Sequence, residues 1–261
     1  MAAKGNAMDS VKRFSDRAEN YVKYRPGYPY AIVELLRSKA GLRASSRAAD
    51  IGSGTGKLSE LLLKTGCRVI GVEPNEEMRR ASAKLLGNHT AFYPVSGTAE
   101  ALPLASASID LVIAGQAFHW FDRENARSEF QRVLKPSGLA ALVWNERQTD
   151  TTEFLQEYEA FLLRHCPDYQ SRQHAHYDLA TLESFFAPDG IRAAQFDYWQ
   201  RFDFEGLQGR LLSCSYAPLE GAGAERMLRE LKTLFDDHQV EGRVSFSYDT
   251  NIFYGPMGAP H

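Results

Sequence analysis

The sequence predicts an α/β fold built on a doubly wound, mostly parallel sheet, and three observations carry that expectation. Apolar, strand-like runs alternate with single helical segments over residues 47–144. A glycine-rich turn, Asp50-Ile51-Gly52-Ser53-Gly54-Thr55-Gly56, follows the first run and precedes a helical segment. An acidic residue, Glu73, ends the second run. Strands separated by one helix each make βαβ units and a parallel sheet, with right-handed crossovers.

The elements follow in order. Residues 1–10 are small and polar, and fraying is expected there. Residues 11–30 are rich in aromatic and basic side chains, among them Arg13, Phe14, Tyr21, Tyr24, Arg25 and Tyr28. Pro29 suits the first turn of a helix over residues 31–36, which Gly41 ends. Residues 47–51 form a first strand, residues 57–64 a helix stopped by Gly66, and residues 68–73 a second strand. Asn75 can cap the next helix by accepting from free amides of its first turn. Glu76 and Glu77 suit the positive end of its dipole, and Gly87 closes it after Leu86. Residues 91–95 form a third strand. Residues 109–114 form a fourth, apolar but for Asp110, as a strand buried on both faces should be. Residues 125–134 read as a helix stopped by Pro136 and Gly138, and residues 139–144 as a fifth strand.

Beyond Glu146 the pattern changes. Residues 153–164 and 179–186 are helical, and residues 194–204 are aromatic and strand-like. Residues 225–238 form an amphipathic helix with Met227, Leu228, Leu231, Leu234 and Phe235 on one face. Residues 243–254 read as a last strand. Three segments result: 1–45, an N-terminal lid and first helix; 46–146, a nucleotide-binding core; and 147–261, which completes one structural domain.

The composition is that of a globular chain, 44% hydrophobic and 24% charged over 261 residues. A net charge of -3 gives no general affinity for nucleic acid or anionic membrane. No apolar run is long enough to span a bilayer, and residues 1–10 lack the apolar stretch of a signal peptide. Cys67, Cys166 and Cys214 are far apart, so neither a disulfide framework nor a zinc site is indicated, and a reducing cytoplasm is the expected location. His165-Cys166 and His174-x-His176 lack matching ligands. They read as solvated loop, and no metal is expected.

A strand running through a glycine turn into a helix suits a nucleotide, because glycines let a ligand reach the main chain. The ligand then lies beyond the carboxyl ends of the strands. A phosphate loop is excluded: Gly56-Lys57 is followed by Leu58, and Ile51 stands where the motif needs glycine. The dinucleotide spacing Gly-x-Gly-x-x-Gly is also missed, because this turn reads Gly52-x-Gly54-x-Gly56. Glu73 can accept both ribose hydroxyls of a nucleoside and would repel a 2′-phosphate.

With these pieces in place, the chain resembles the class I S-adenosylmethionine-dependent methyltransferases. Ala49-Asp50-Ile51-Gly52-Ser53-Gly54-Thr55-Gly56 is similar to their first motif. Val72-Glu73-Pro74-Asn75-Glu76-Glu77-Met78 is similar to the acidic second-strand segment, and Gly97-Thr98-Ala99-Glu100-Ala101-Leu102-Pro103 to the segment beside the adenine. Ile109-Asp110-Leu111-Val112 resembles the fourth strand, and Arg132-Val133-Leu134-Lys135-Pro136-Ser137-Gly138-Leu139 the turn that follows its helix. A narrower likeness, to the trans-aconitate methyltransferase-like branch, rests on Tyr24-Arg25-Pro26-Gly27-Tyr28-Pro29 and Ala117-Phe118-His119-Trp120-Phe121.

The resemblance implies a seven-stranded, Rossmann-like methyltransferase fold with an antiparallel last strand. Strands six and seven fall at residues 194–204 and 243–254, and the helices between them form a substrate cap. It implies S-adenosylmethionine as cofactor, S-adenosylhomocysteine as product and no metal. Asp50 and the turn from Gly52 through Ser53, Gly54 and Thr55 to Gly56 would meet its methionine part. Glu73 and Pro74 would hold the ribose, and Met78 would pack on the adenine. Many relatives carry Asp where this chain has Thr98, so Ala99 and Glu100 are the alternative adenine contacts. Gln116 would sit close to the sulfonium. Tyr21, Tyr24 and Tyr28 are candidate lid residues, and Arg25 a partner for the carboxylate of either cofactor or substrate.

Methyl transfer is a direct displacement, so the enzyme chiefly aligns the reactants. His119 is the candidate base, against a competing role as a packed histidine among Phe118, Trp120 and Phe121. Trp120 and Tyr216 are candidate substrate contacts, with Ser213 and Ser215 beside the latter. The expected reaction is methylation of a small molecule at oxygen, a carboxylate or hydroxyl, by a monomer or homodimer. The alternatives are transfer to carbon or nitrogen, or a protein that binds the cofactor without transferring the methyl group. A nicotinamide oxidoreductase lacks its glycine spacing, and a nucleic-acid methylase lacks a basic stripe.

Overall fold

In the computed structural model, residues 18–169 and 178–258 are described. Arg13, Phe14, His174 and His176 lie outside the described residues, as does the Tyr21 side chain. Seven strands form one sheet in the order β3-β2-β1-β4-β5-β7-β6. They are β1 (Arg47–Ile51), β2 (Arg68–Val72), β3 (Phe92–Val95), β4 (Ile109–Gly115), β5 (Leu134–Arg147), β6 (Arg192–Phe202) and β7 (Val244–Gly255). β1 to β5 run parallel, and β7 is antiparallel to both β5 and β6. The expected doubly wound sheet with an antiparallel last strand is therefore what the chain forms.

Alternation along each strand sets the two faces. Ala49, Ile51, Val112, Ala114, Leu142 and Trp144 meet the helices α5 (Arg123–Val133) and α7 (Leu179–Phe186) on one side. Ala48, Val69, Leu111, Ile113, Ala141 and Val143 meet α2 (Ala31–Lys39) and α3 (Lys57–Leu63) on the other. Both faces of the central strands are covered, which is why β4 is apolar apart from Asp110. α4 (Glu76–Leu86) follows β2, and Asn75 caps it by accepting from the Met78 amide at 3.0 Å.

β5 is longer than expected. Leu134 pairs with Ile109 and Leu139 with Leu111, so residues 135–138 bulge out of register between two paired stretches. The breakers Pro136 and Gly138 interrupt the ladder there without ending the strand. β6 stops at Phe202, not residue 204. Asp203 accepts from the Gly206 amide at 2.8 Å and caps a helix that the aromatic run concealed, α8 (Phe204–Leu212).

A second core lies beside the sheet. α6 (Glu153–His165), α8 and α9 (Ala222–His238) bury Leu155, Tyr158, Leu207, Leu211, Met227 and Leu231 against the β7 residues Phe246 and Tyr248. The stripe expected on the last helix is its buried face, with Leu228 at the margin. His165 and Cys166 are not in a solvated loop. Both are buried, and His165 Nε2 lies 2.7 Å from Glu230 Oε2, because the end of α6 is covered by α9. His238 Nε2 meets Glu157 Oε2 at 3.0 Å, so the two helices are clamped at two points. Cys67, Cys166 and Cys214 are buried and in no disulfide.

The N-terminal helix α1 (Ala18–Tyr24) bridges the sheet half and the helical layer, packing on α4 and α8. Lys23 Nζ and Tyr24 OH reach Glu205 Oε1 at 2.8 and 3.0 Å. The Tyr24 ring lies so close over Gly209 that no Cβ fits there. No described helix is long and apolar enough to cross a membrane.

Two predictions follow from this packing. Gly209→Val forces the Tyr24 ring off α8 and costs about 1–3 kcal/mol, as overpacking does, read as a lower melting temperature with the sheet intact by circular dichroism. The second concerns Asp50, which is 1% exposed and accepts from Ser59 Oγ at 2.6 Å. Burial pushes its carboxyl up to about 7. The folded chain thus keeps a proton that the unfolded chain releases near pH 4, and stability falls as pH rises between those values. Asp50→Asn stays neutral and accepts from Ser59. Its melting temperature gains several degrees on the wild type as pH rises from about 4 to 7; a constant difference would refute the account.

Candidate functional site

The strand order reverses between β1 and β4, with β2 on one side and β5 on the other. Crossovers leave in opposite directions there, which opens a crevice at the carboxyl ends. The chain puts its glycine turn, Glu73 and Gln116 at these ends. Gly52, Gly54 and Gly56 have φ of 67°, 55° and 85°, in the left-handed region that favours glycine. The turn is held by amides of Gly52 and Ser53 donating to Val72 O at 2.8 and 3.1 Å. An added Cβ at Gly52 would lie 2.7 Å from that of Ala117, whereas nothing lies within 4 Å of one at Gly54.

Glu73 is 7% exposed, and both its oxygens are engaged. The Gly54 amide donates to Oε2 and the Asn75 amide to Oε1, each at 2.8 Å. Burial raises its pKa, while those two amides and the Arg79 charge pull it back. Arg79 also donates to Glu73 O at 2.8 Å, fixing the backbone there. Each carboxylate oxygen has a second lone pair to offer, so the group is oriented and still able to accept. Asn75 therefore serves twice, as helix cap and as donor to Glu73, and only the first was legible in the sequence.

The other expected residues are distributed around this centre. Asp50 lies beneath the turn and bonds to Ser59, not toward the crevice. Ser53 and Thr55 are buried, and the Ser53 hydroxyl has no hydrogen-bond partner among the described residues. Pro74 is exposed and Met78 buried in the first turn of α4. Ala99 is buried and Thr98 exposed. Glu100 Oε1 accepts from the Asp122 amide at 2.9 Å, tying its loop to the start of α5.

Gln116 has φ 56°, unusual for a residue with a side chain. Its Nε2 donates to Asn145 O at 2.7 Å, across the ends of β4 and β5. Asn145 donates in turn to Gly27 O at 2.7 Å and accepts from Thr250 Oγ1 at 2.6 Å. Residues 25–28 are thereby drawn over the strand ends. Asn145 was not singled out from the sequence, although a buried amide directly after an apolar run was its signal.

His119 is exposed on a 3-10 turn (Phe118–Trp120), its ring 4.6 Å from that of Trp120. Phe118 beneath it is buried against Trp144 and Phe185. Arg25 reaches Ser213 O at 3.2 Å, and Tyr216 stacks edge-on to Tyr169 at 4.9 Å. Around them lies a group the sequence reading missed: Arg210 and Cys214, both buried, with Arg210 Nη1 at 2.9 Å from Cys214 Sγ.

Known proteins resemble this chain in fold and in part of its sequence. A solved structure assigned as a type II methyltransferase from Anaeromyxobacter dehalogenans is 25% identical and superposes with a TM-score of 0.70, covering 91% of this chain and 100% of that one. An uncharacterized methyltransferase-like protein of Schizosaccharomyces pombe is 33% identical over 162 residues, 62% of this chain and 62% of that protein. An uncharacterized methyltransferase of Mycobacterium tuberculosis is 38% identical over 139 residues, 53% of this chain and 54% of its own length. The chain thus spans between 54% and 62% of these two curated relatives. Residues 49–142, which hold the glycine turn, Glu73 and Gln116, match the family model of a methyltransferase domain.

Proposed function

We propose that this protein is an S-adenosylmethionine-dependent methyltransferase that acts on a small molecule at oxygen, a carboxylate or a hydroxyl. The observation that carries this reading is the Glu73 carboxylate, held by the Gly54 and Asn75 amides at the mouth of the glycine turn with accepting capacity left for a ribose diol. The open space over Gly54 is a cradle that a Cβ would fill. The match of residues 49–142 to methyltransferase domains supports the same cofactor.

In this reading Glu73 binds the ribose, with Pro74 beside it, and Met78 lies against the adenine. Residues 98–100 flank the base. The turn from Gly52 to Gly56 receives the methionine part, and Asp50 supports it from below through Ser59. Gln116 closes the donor side, Arg25 pairs with a carboxylate, and Trp120 and Tyr216 line the acceptor side. Residues 46–146 hold the cofactor, residues 1–45 cover it, and residues 147–261 complete the sheet and cap the acceptor. No metal, nucleic acid or membrane takes part, and the setting is a cytoplasmic monomer or homodimer.

S-adenosylmethionine, when bound, supplies a methyl group already activated on sulfur. The chain's own work is to align the acceptor and exclude water. A carboxylate acceptor needs no base, whereas a hydroxyl must lose a proton, and in this reading His119 takes it. The likeness of residues 24–29 and 117–121 to the trans-aconitate methyltransferase-like branch supports an acidic acceptor.

Two variants test the reading. Glu73→Ala removes two charge-assisted hydrogen bonds to the ribose, so S-adenosylhomocysteine binding by calorimetry weakens by at least about 10-fold; affinity within twofold of wild type would sink the assignment. His119→Ala lowers kcat by about 100-fold with a hydroxyl acceptor and by less than about threefold with a carboxylate. An equal, small effect on both would remove His119 from proton transfer.

A further inference from the structure

Resting on the methyl-transfer reading, we propose that Arg210 and Arg25, with Tyr216, form the site that takes an oxyanion of the acceptor, a carboxylate. Arg210 lies on α8 and is 8% exposed. Its Nη1 is on Cys214 Sγ, and its Nε has no hydrogen-bond partner among the described residues. The groups that act on its charge are Cys214 and the hydroxyls of Tyr248, Tyr216 and Tyr158; none is a carboxylate.

The contrast with Arg147 is informative. That guanidinium, in the same helical layer, is paired with Glu159 and bonded to Tyr169 OH, and it lies over the Tyr158 ring. Among the described residues, the fold thus supplies a carboxylate to one buried arginine and none to the other. A guanidinium presents a planar fork matched to a carboxylate, and a buried cation without such a partner is costly. An incoming carboxylate on the Nε edge of Arg210 would supply what the chain lacks.

The place is right for an acceptor. Arg25 Nη2 donates to Ser213 O, one residue before Cys214. Two residues further along from Arg25, Gly27 O is held by Asn145, whose own carbonyl accepts from Gln116. A short chain of contacts therefore joins the arginine pair to the carboxyl end of β4, where the methyl donor is expected.

Cys214 is the internal competitor. Its burial favours the thiol, but Arg25 and Arg210 outweigh that and bring it down to about 6. The other groups facing it are Tyr216, two residues on, and Tyr158 and Cys166 from α6 and its end, while Tyr248 from β7 faces Arg210. Burial raises Tyr158, Tyr216 and Cys166, which stay neutral. At neutral pH the thiolate is thus the one anion beside the arginines among these groups. A carboxylate that takes the fork displaces that charge, and Cys214 picks up one proton from solvent. Acceptor binding then weakens about tenfold per pH unit above 7, because the thiol form it needs becomes rarer by that factor.

The test is calorimetry on the full chain saturated with S-adenosylhomocysteine, titrated with acetate and succinate, with neutral dimethyl succinate and inorganic phosphate as comparisons. The carboxylates are expected to bind with uptake of about one proton, and the diester not to bind. Arg210→Met should weaken succinate at least about 10-fold while S-adenosylhomocysteine affinity stays within twofold. Cys214→Ala should bind succinate at pH 8 at least about 10-fold more tightly than wild type and without the pH slope. A merely structural role for Cys214 gives the opposite sign, so this variant decides the matter even if Arg210→Met fails to fold. Weaker succinate binding in Cys214→Ala, equal binding of the diester, or no carboxylate binding at millimolar concentration overturns the site. Tighter binding of phosphate than succinate overturns the carboxylate assignment. Loss of S-adenosylhomocysteine binding by the wild type overturns the methyl-transfer reading instead.

Discussion

The carboxylate of Glu73 is the constraint on which the rest of the crevice depends. An acid at the end of a buried strand is costly unless it is met by donors, and this one is met by main-chain amides from two directions. One comes from the glycine turn after β1 and the other from the residue that caps α4. The turn can present its amide only because Gly54 adopts a positive φ. Asn75 can present its own because its side chain is turned toward Met78. Arg79 holds the carbonyl of the same glutamate. One carboxyl group thereby fixes the relative placement of a strand end, a loop and a helix start before any ligand arrives.

Much of this was legible in the chain alone, for a definable reason. β1 to β4 are short, apolar and bounded by glycine or polar turns, so local pattern and tertiary burial agree. Legibility failed where they disagree. Pro136 and Gly138 are breakers by propensity, but a bulge absorbs them and the strand resumes. Phe204 looks like the end of an aromatic strand, yet Asp203 has already begun a helix. His165 sits in a polar stretch and is buried because α9, about sixty residues later, covers it.

The candidate site divides along the same line. Its donor half is contiguous in sequence, turn by turn, and each residue's type announces its use. The acceptor half is assembled from residues 25, 158, 210, 214, 216 and 248, scattered over most of the chain. No spacing links them. Arg210 is unremarkable in the sequence, one cation on a short helix, and becomes informative only once its burial and its missing partner are seen.

The position of β7 bears on how the chain comes into being. It lies between β5 and β6, although it follows both in sequence. During synthesis the first five strands can pair as they emerge, whereas β6 must wait for its partner. Until β7 inserts, the side of β5 that β7 will cover is open and apolar from Ala140 to Trp144, and β6 has no strand to pair with. Unpaired edges of that kind recruit other chains. The strand that completes the domain is thus also its guard against aggregation, and a ribosome that stalls before residue 244 would release the protein in its most adhesive form.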